Sequence, residues 1–156
     1  MSASNELNAS IERHYTVTDL GRQILAALEK SGKDINRLRP EDLAPIDEFH
    51  IRGRAATLEL AKMANLDSTK LVLDVGSGLG GPARCLASEF GCNVTGIDLT
   101  EEYCRIAEML SERIGLARSV NFKQADALHM PFDDSSFDLI SDQPQPHEWP
   151  RQGWVL

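Results

Sequence analysis

The chain has 156 residues and a net charge of −8, from 16 basic and 24 acidic side chains. This acidic balance argues against a nucleic-acid-binding surface, and no apolar run approaches the ~18 residues of a membrane span. The N-terminus shows neither the basic nor the apolar region of a secretory signal. The three cysteines are odd in number and lack metal-ligand spacing, which favours reduced side chains, a cytoplasmic location and no metal site.

The first part of the chain has helical periodicity. A helix is predicted over residues 18–30, because its apolar residues recur on one face and Gly32 follows its end: Leu20, Ile24 and Leu28. A second helix, over residues 54–64, is expected to turn four side chains towards the strands that follow: Ala55, Leu58, Ala61 and Met63. Residues 40–45 lie between these helices and predict a loop with at most one helical turn.

The next segment is a strand followed by a glycine-rich turn. Residues 71–75 form an apolar run of strand length, and Pro82 stands where a helix would begin. Four glycines separate them: Gly76, Gly78, Gly80 and Gly81. Glycines let the backbone pass close to a ligand, and the free N–H groups of a helix start point towards it. The pattern predicts a nucleotide-binding corner.

Two kinds of cofactor fit this corner. Residues 76–81 match the G-x-G-x-x-G spacing of a dinucleotide site, which is a short and common pattern. Asp74 favours a different ligand, because a carboxylate repels a pyrophosphate but can hold a cationic amino-acid tail. Asp98 follows the next predicted strand, about 20 residues beyond Gly78, where an acidic side chain binds ribose hydroxyls. A ribose occurs in both NAD and S-adenosylmethionine, so Asp98 indicates a nucleoside without selecting between them.

Helices and strands continue to alternate after the glycine turn. Helices are predicted over residues 82–90 and 101–114, and strands over residues 93–97 and 120–126, with a fourth strand ending at Ile140. This alternation predicts an α/β fold in which crossover helices join parallel strands.

The ordered set of Asp74-x-Gly-x-Gly78, Asp98 and Asp126 resembles the class I S-adenosylmethionine-dependent methyltransferases over about residues 46–140. The resemblance implies a Rossmann-like sheet, with about its first four parallel strands present, an N-terminal helical cap and S-adenosyl-L-methionine as cofactor. It also implies eight cofactor-binding residues. The methionine part would contact Asp74, Gly76, Ser77 and Gly78; the ribose and base would contact Asp98 and Leu99; and the adenine would contact Asp126 and Ala127.

The resemblance further implies three regions and a reaction. Residues 1–66 would form the helical cap, 67–140 the cofactor-binding core, and 141–156 an atypical tail. Transfer of a methyl group to a small molecule, in particular an amine, is the implied activity. In methyltransferases of glycine derivatives or phosphoethanolamine, a segment like residues 46–53 lies over the cofactor, so residues 49–52 would approach the acceptor: Phe49, His50, Ile51 and Arg52. An ordinary helix start is the alternative for this segment.

No catalytic residue is identified, because a sulfonium is a strong methyl donor and an unprotonated amine needs little help from a base. Two alternatives remain at this point: a cofactor-binding fragment without catalysis and an NAD-dependent oxidoreductase. The tail carries three prolines and no periodicity, unlike the further strands of the family. We therefore expect a frameshifted or truncated gene product whose sheet is incomplete at its C-terminal end. The oligomeric state is not indicated.

Overall fold

A computed structural model describes residues 20–47 and 53–142. Its helices are α1 (Leu20–Lys30), a 3-10 helix (Pro40–Leu43), α2 (Ala44–Asp47), α3 (Gly53–Met63), α4 (Gly81–Phe90) and α5 (Glu101–Arg113). Its strands are β1 (Leu71–Val75), β2 (Asn93–Asp98), β3 (Val120–Gln124) and β4 (Leu139–Asp142). The expected acceptor segment, residues 49–52, and nearly all of the expected tail lie outside the described residues.

The four strands form one parallel sheet in the order β3-β2-β1-β4. This arrangement confirms the α/β, Rossmann-like fold expected from the alternation of strands and helices. The chain runs from β1 outwards to β3 and then returns to add β4 on the other side of β1. Such a reversal of strand order opens a crevice outside the carboxyl ends of the strands on either side of it, and ligands bind there in open α/β sheets. The sheet thus places a crevice directly beyond Val75.

Hydrophobic side chains cover both faces of the sheet. On one face, α4 and α5 pack on the strands through small and aliphatic residues: Ala83, Leu86, Ala87, Cys104 and Ala107 against Val72, Val94, Val120 and Phe122. On the other face, the β3–β4 loop covers Leu73, Val75 and Ile97 with Ala125, Ala127, Met130, Phe132 and Phe137. The alternation of these two sets along β1 follows from the two-residue period of a strand. Asp74 therefore points to the same face as Val72, towards the glycine turn.

Helix α1 packs on the outer side of α5. Ile24 and Leu28 are buried there against Ile106 and Leu110, which confirms the apolar face predicted for the first helix. The prediction for α3 was partly wrong. Its Ala61 is buried, but Ala55 is exposed and Met63 is 74% exposed, while Thr57 is buried instead. The reason is that α3 packs on α4 rather than on the strands. A single neighbouring helix buries fewer of the α3 side chains than a sheet would.

Residues 40–47 form more helix than the single turn that we predicted. The carboxylate of Asp42 accepts a hydrogen bond from the backbone N–H of Arg39 at 2.9 Å and pairs with Lys33 Nζ at 2.8 Å. These contacts, the Lys33 contact first, hold the pKa of Asp42 below its usual value. An ionised Asp42 satisfies the N-terminal donor of the 3-10 helix, and α2 follows without a break.

The close approach of Gly80 to Phe122 predicts that a side chain at Gly80 would destabilise the protein. Gly80 has φ of +84°, and a Cβ placed on it would lie 2.5 Å from Phe122 Cζ. Gly115 has φ of +79° with no atom within 4 Å of its added Cβ. We expect Gly115→Ala to lower the free energy of unfolding by about 1–2 kcal/mol through backbone strain alone. Gly80→Ala should lose about 1–3 kcal/mol more because it overpacks the core. Urea unfolding of both variants checks this, and equal losses would contradict it.

Candidate functional site

The glycine turn joins β1 to α4 through left-handed backbone. Gly76 and Gly78 have φ of +68° and +52°, which only glycine adopts readily, as the sequence indicated. The turn folds back on β2, because Ser77 N–H donates to the Ile97 carbonyl at 2.9 Å and Gly80 N–H donates to the Ser77 carbonyl at 2.8 Å. A Cβ built on Gly76 or Gly78 meets nothing within 4 Å among the described residues. The turn therefore presents bare backbone to the crevice.

Asp74 is a buried carboxylate at the end of β1. Its side chain is 1% exposed, and its Oδ2 atom has no hydrogen-bond partner in the part of the chain that the structure describes. Burial raises the pKa of Asp74 to about 7; the carboxylates of Asp142 and Asp98 act in the same direction, and a hydrogen bond with Ser141 acts against them. Ser77 Oγ is also buried without a partner there. Two polar atoms beside the turn thus have unused hydrogen-bonding capacity.

Asp98 ties the end of β2 to the glycine turn. Its Oδ2 accepts the Gly78 N–H at 2.9 Å, and its Oδ1 accepts the Thr100 N–H at 2.9 Å. A carboxylate has about four acceptor positions, so both oxygens can still accept further hydrogen bonds. Leu99, next to it, is 50% exposed, and its carbonyl accepts a hydrogen bond from Gln124 Nε2. An apolar side chain held open beside an acidic one suits a ligand with a hydroxylated part and a flat apolar part.

Asp126 and Ala127 begin the loop after β3. Asp126 accepts the Leu128 N–H at 2.8 Å, and its other oxygen lies 3.0 Å from His129 Nδ1. These two hydrogen bonds, that with His129 first, lower the pKa of Asp126. Ala127 packs on the apolar cluster that contains Val75 and Ile97. The sequence assigned no role to His129, although the Asp-x-x-His spacing in a turn allowed this contact to be found.

The parallel register brings these groups to one edge of the sheet. Val75 pairs with Ile97, and Asp98 pairs with Gln124, so β1, β2 and β3 end side by side. The eight residues singled out from the sequence all lie at or just beyond these ends. Asp74 and Asp98 are close enough to influence each other electrostatically. Two neighbours were missed by sequence analysis: Ser141, which contacts Asp74, and Arg84, which is buried behind the turn.

The described residues form a cavity away from the strand ends, but neither a metal-ligand cluster nor a membrane-spanning helix. A cavity of about 360 Å³ lies on the outer side of α4, between it, α2 and α3, and its lining includes Asp47, Arg54 and Cys85 but none of the carboxylates at the strand ends. Residues 20–47 and 53–142 contain no group of three acidic, histidine or cysteine side chains arranged to hold a metal ion. Within the same ranges, every helix is too short or too polar to cross a membrane.

Similar proteins bear the same kind of domain. The family model described as "Methyltransferase domain" matches residues 72–154. A protein of Haemophilus influenzae without an assigned activity is 33% identical over 122 residues, which cover 78% of this chain and 42% of that protein. The chloroplastic tocopherol O-methyltransferase of Arabidopsis thaliana is 45% identical over 71 residues, covering 46% of this chain and 20% of that enzyme. The chain thus spans less than half the length of these relatives.

The fold comparison agrees with the sequence comparison. A crystal structure of a candidate sarcosine dimethylglycine methyltransferase from Galdieria sulphuraria superposes with a TM-score of 0.55 and 26% identity, over 59% of this chain and 34% of that one. The matched family model covers more than half of the chain and includes the glycine turn, β2, β3 and β4. On this ground the chain belongs to the methyltransferase domain family.

Proposed function

We propose that this chain binds S-adenosylmethionine and serves the transfer of its methyl group to a small-molecule acceptor. The observation that carries the proposal is the buried Asp74 carboxylate, whose Oδ2 atom lacks a partner among the described residues and lies beside the glycine turn. Family membership supports the same activity.

The charges around the turn favour a cationic ligand. Asp74, Asp98 and Asp142 interact through their charges at the ends of β1, β2 and β4. The pyrophosphate of NAD would bring two further negative charges to this place, where the buried Asp74 carboxylate is little screened by water and would repel them. S-adenosylmethionine has no phosphate, and it is cationic in sum because its sulfonium and ammonium groups are positive and only its carboxylate is negative. The acidic crevice is therefore better suited to S-adenosylmethionine than to a dinucleotide.

The residues present fit the parts of this cofactor. We assign the methionine part to Asp74, Gly76, Ser77 and Gly78, where bare backbone and two unpartnered side-chain atoms adjoin one another. We assign the ribose to Asp98, whose oxygens retain acceptor positions. The base would pack on the exposed Leu99 side chain and on Ala127. The lowered pKa of Asp126 keeps this side chain ionised, so that it can accept a hydrogen bond from the adenine amino group.

The chemistry asks for alignment more than for proton transfer. The bound cofactor supplies a methyl group on a positively charged sulfur. The glycine turn, together with Asp74, Asp98 and Asp126, would hold the methyl donor at a fixed place at the strand ends. The loop after β3 covers the face of the sheet below this place. Orientation of two reactants accounts for roughly 7–11 kcal/mol in well-aligned reactions. We therefore assign no catalytic base among the described residues.

The proposed acceptor is an amine. The Galdieria structure, whose given activity is towards sarcosine and dimethylglycine, resembles this chain in fold and in 26% of aligned residues. An amine that arrives unprotonated can attack the methyl group without a general base. The Arabidopsis relative is an O-methyltransferase of tocopherol, so a phenolic acceptor is the comparison that the experiment must include.

Binding selectivity tests the cofactor. We expect calorimetric titration to show that S-adenosylhomocysteine and S-adenosylmethionine bind at least tenfold more tightly than NAD, a difference of about 1.4 kcal/mol. Asp133→Ala, at an exposed turn residue, serves as the control variant and should keep this selectivity. Tighter binding of NAD than of S-adenosylhomocysteine would overturn the proposal.

The acceptor is tested by transfer of a radiolabelled methyl group to glycine, sarcosine, dimethylglycine and phosphoethanolamine, with tocopherol as the non-amine comparison. Label should appear in one of the amines and not in tocopherol. Transfer to tocopherol alone would reject the amine while leaving the cofactor assignment intact.

A further inference from the structure

Arg84 is a fully buried cation that no part of the proposed cofactor contacts explain. It lies in the first turn of α4 and is 2% exposed. Its Nη1 donates to the Leu79 carbonyl at 2.7 Å, inside the glycine turn, and approaches the Ala107 carbonyl of α5 at 3.4 Å. Its Nη2 donates to Asp47 Oδ1 at 2.5 Å, at the last residue of α2. One guanidinium thus joins the glycine turn, α5 and the helical cap.

Two glycines leave the space that this arrangement needs. A Cβ on Gly80 would lie 2.8 Å from Arg84 Nη1, and a Cβ on Gly81 would lie 2.8 Å from Asp47 Cβ. The second pair of glycines therefore has a different use from Gly76 and Gly78, which open towards the crevice. The absence of side chains at Gly76 and Gly78 leaves space for a ligand, and their absence at Gly80 and Gly81 leaves space for the Arg84–Asp47 pair.

We propose that Arg84 is a positioning residue that couples binding of the cofactor in the glycine turn to docking of residues 40–47 on α4. The inference rests on the proposed function, since it concerns the same turn. It adds a residue and a segment to which the proposed cofactor contacts give no role.

The coupling follows from the rigidity of the guanidinium. Its nitrogens lie in one plane at fixed angles, so the Leu79 carbonyl and the Asp47 carboxylate are held at a fixed separation. Leu79 stands between Gly78 and Gly80, and a ligand that fixes the turn also fixes the Leu79 carbonyl. Because Arg84 is 2% exposed, loss of either partner would leave part of a buried cation without a hydrogen bond, which is costly. A fixed conformation of the glycine turn therefore favours docking of Asp47 against Arg84. Because coupling is reciprocal, docking of Asp47 also favours the fixed conformation of the glycine turn.

Hydrogen exchange with and without S-adenosylhomocysteine tests the coupling. In the unaltered chain we expect the ligand to slow amide exchange in residues 40–47, although these residues lie behind the turn. Asp47→Asn and Arg84→Lys should abolish this slowing and weaken ligand binding by about tenfold, within the range of measured couplings between sites. Lysine is the critical replacement, because it keeps the charge but cannot hold two partners in a fixed fork.

The matched control is the exposed pair between Arg105 and Glu101, whose side chains are 66% and 59% exposed. Arg105→Lys and Glu101→Gln should leave both readouts unchanged. A purely structural ion pair would lower the urea midpoint of Asp47→Asn while binding and ligand-induced slowing stay as in the unaltered chain, and this result would overturn the inference. Should Arg84→Lys fail to fold, Asp47→Asn, which keeps Arg84, decides the question. Absence of ligand binding by the unaltered chain would instead reject the proposed function.

Discussion

Replacing Asp98 by alanine is expected to weaken binding of S-adenosylhomocysteine by ten- to a hundredfold. A hydrogen bond to a charged group contributes roughly 1.5–3 kcal/mol, and about 1.4 kcal/mol corresponds to a factor of ten in affinity. Asp98 lies at the end of β2, with both oxygens turned to the glycine turn and the start of α5. Asp133→Ala should leave the affinity unchanged, since Asp133 is exposed in the turn before β4.

A second comparison separates ribose binding from support of the turn, because Asp98→Ala also frees the Gly78 N–H. We expect removal of the 2′-hydroxyl from S-adenosylhomocysteine to weaken binding to the unaltered chain at least fivefold. The same removal should have little further effect on Asp98→Ala, which has already lost the acceptor. If the hydroxyl counts equally in both proteins, Asp98 holds only the turn and the ribose assignment is wrong.

The first two strands were predictable because their signal is local, whereas β3 ends two residues before the predicted Asp126 and β4 runs two residues past the predicted Ile140. The apolar run at residues 71–75 is β1 without a shift at either end, and residues 93–97 need only Asp98 to complete β2. The order of strands in the sheet has no such signal, since the pairing of β4 with β1 depends on contacts far apart in the chain. The exposed side of α3 was misjudged for a similar reason. Periodicity shows that a helix has an apolar stripe, but the neighbouring helix decides how much of it is covered.

The backbone of the glycine turn was predictable because glycines directly follow an apolar strand, whereas the cofactor contacts assigned to this region stay a prediction. Gly76 and Gly78 have the left-handed backbone that the turn pattern implied, and Asp74 lies beside them. Arg84 escaped sequence analysis because arginine is seldom buried, and its partner Asp47 lies in another element of the chain. A local signal did exist, since every other residue between Gly81 and Ala87 in α4 is small or apolar, which indicates that this part of the helix is buried.

The start of α5 lacks a side-chain cap. Thr100 stands at the N-cap position, but its hydroxyl makes no cap hydrogen bond, and Asp98 accepts the Thr100 N–H. A capping hydroxyl would accept an N–H of the first helical turn, but the Tyr103 N–H donates to the Thr100 carbonyl at 3.0 Å instead. The Asp98 side chain therefore contacts both the start of α5 and the glycine turn.

Asp74→Asn is expected to change the pH dependence of stability more than any other substitution in the described core. Burial raises the pKa of Asp74 in the folded protein to about 7, from an ordinary value of 3.8. Between these two values the folded protein holds a proton that the unfolded chain has released. The free energy of unfolding must therefore fall as the pH rises from about 4 to about 7, and the loss is complete above pH 7. At about 1.36 kcal/mol per pKa unit, the total is up to roughly 4 kcal/mol.

Asparagine has nearly the shape of the protonated carboxyl group and cannot ionise, so it should remove this dependence. Urea unfolding between pH 5 and pH 8.5 measures the effect: the stability of the unaltered chain should decline more steeply than that of Asp74→Asn. Asp142→Asn is the matched variant, since it removes one of the charges that raise the pKa of Asp74 and should move the decline to lower pH. Parallel profiles for Asp74→Asn and the unaltered chain would contradict the prediction.

Ligand binding should also depend on the proton that Asp74 holds. A cationic ligand group is bound most favourably by an ionised Asp74, so S-adenosylmethionine must displace the proton when it binds below pH 7. The observed enthalpy of binding at pH 6 should then differ between buffers of unlike ionisation enthalpy, by an amount that gives the number of protons released. The difference should vanish in Asp74→Asn and shrink at pH 8.5, where the carboxylate is already ionised. A buffer effect of the same size in Asp74→Asn would assign the proton to another group. Loss of the buffer effect in this variant, together with its flattened stability profile, would identify Asp74 as the residue that releases a proton when the positively charged cofactor binds.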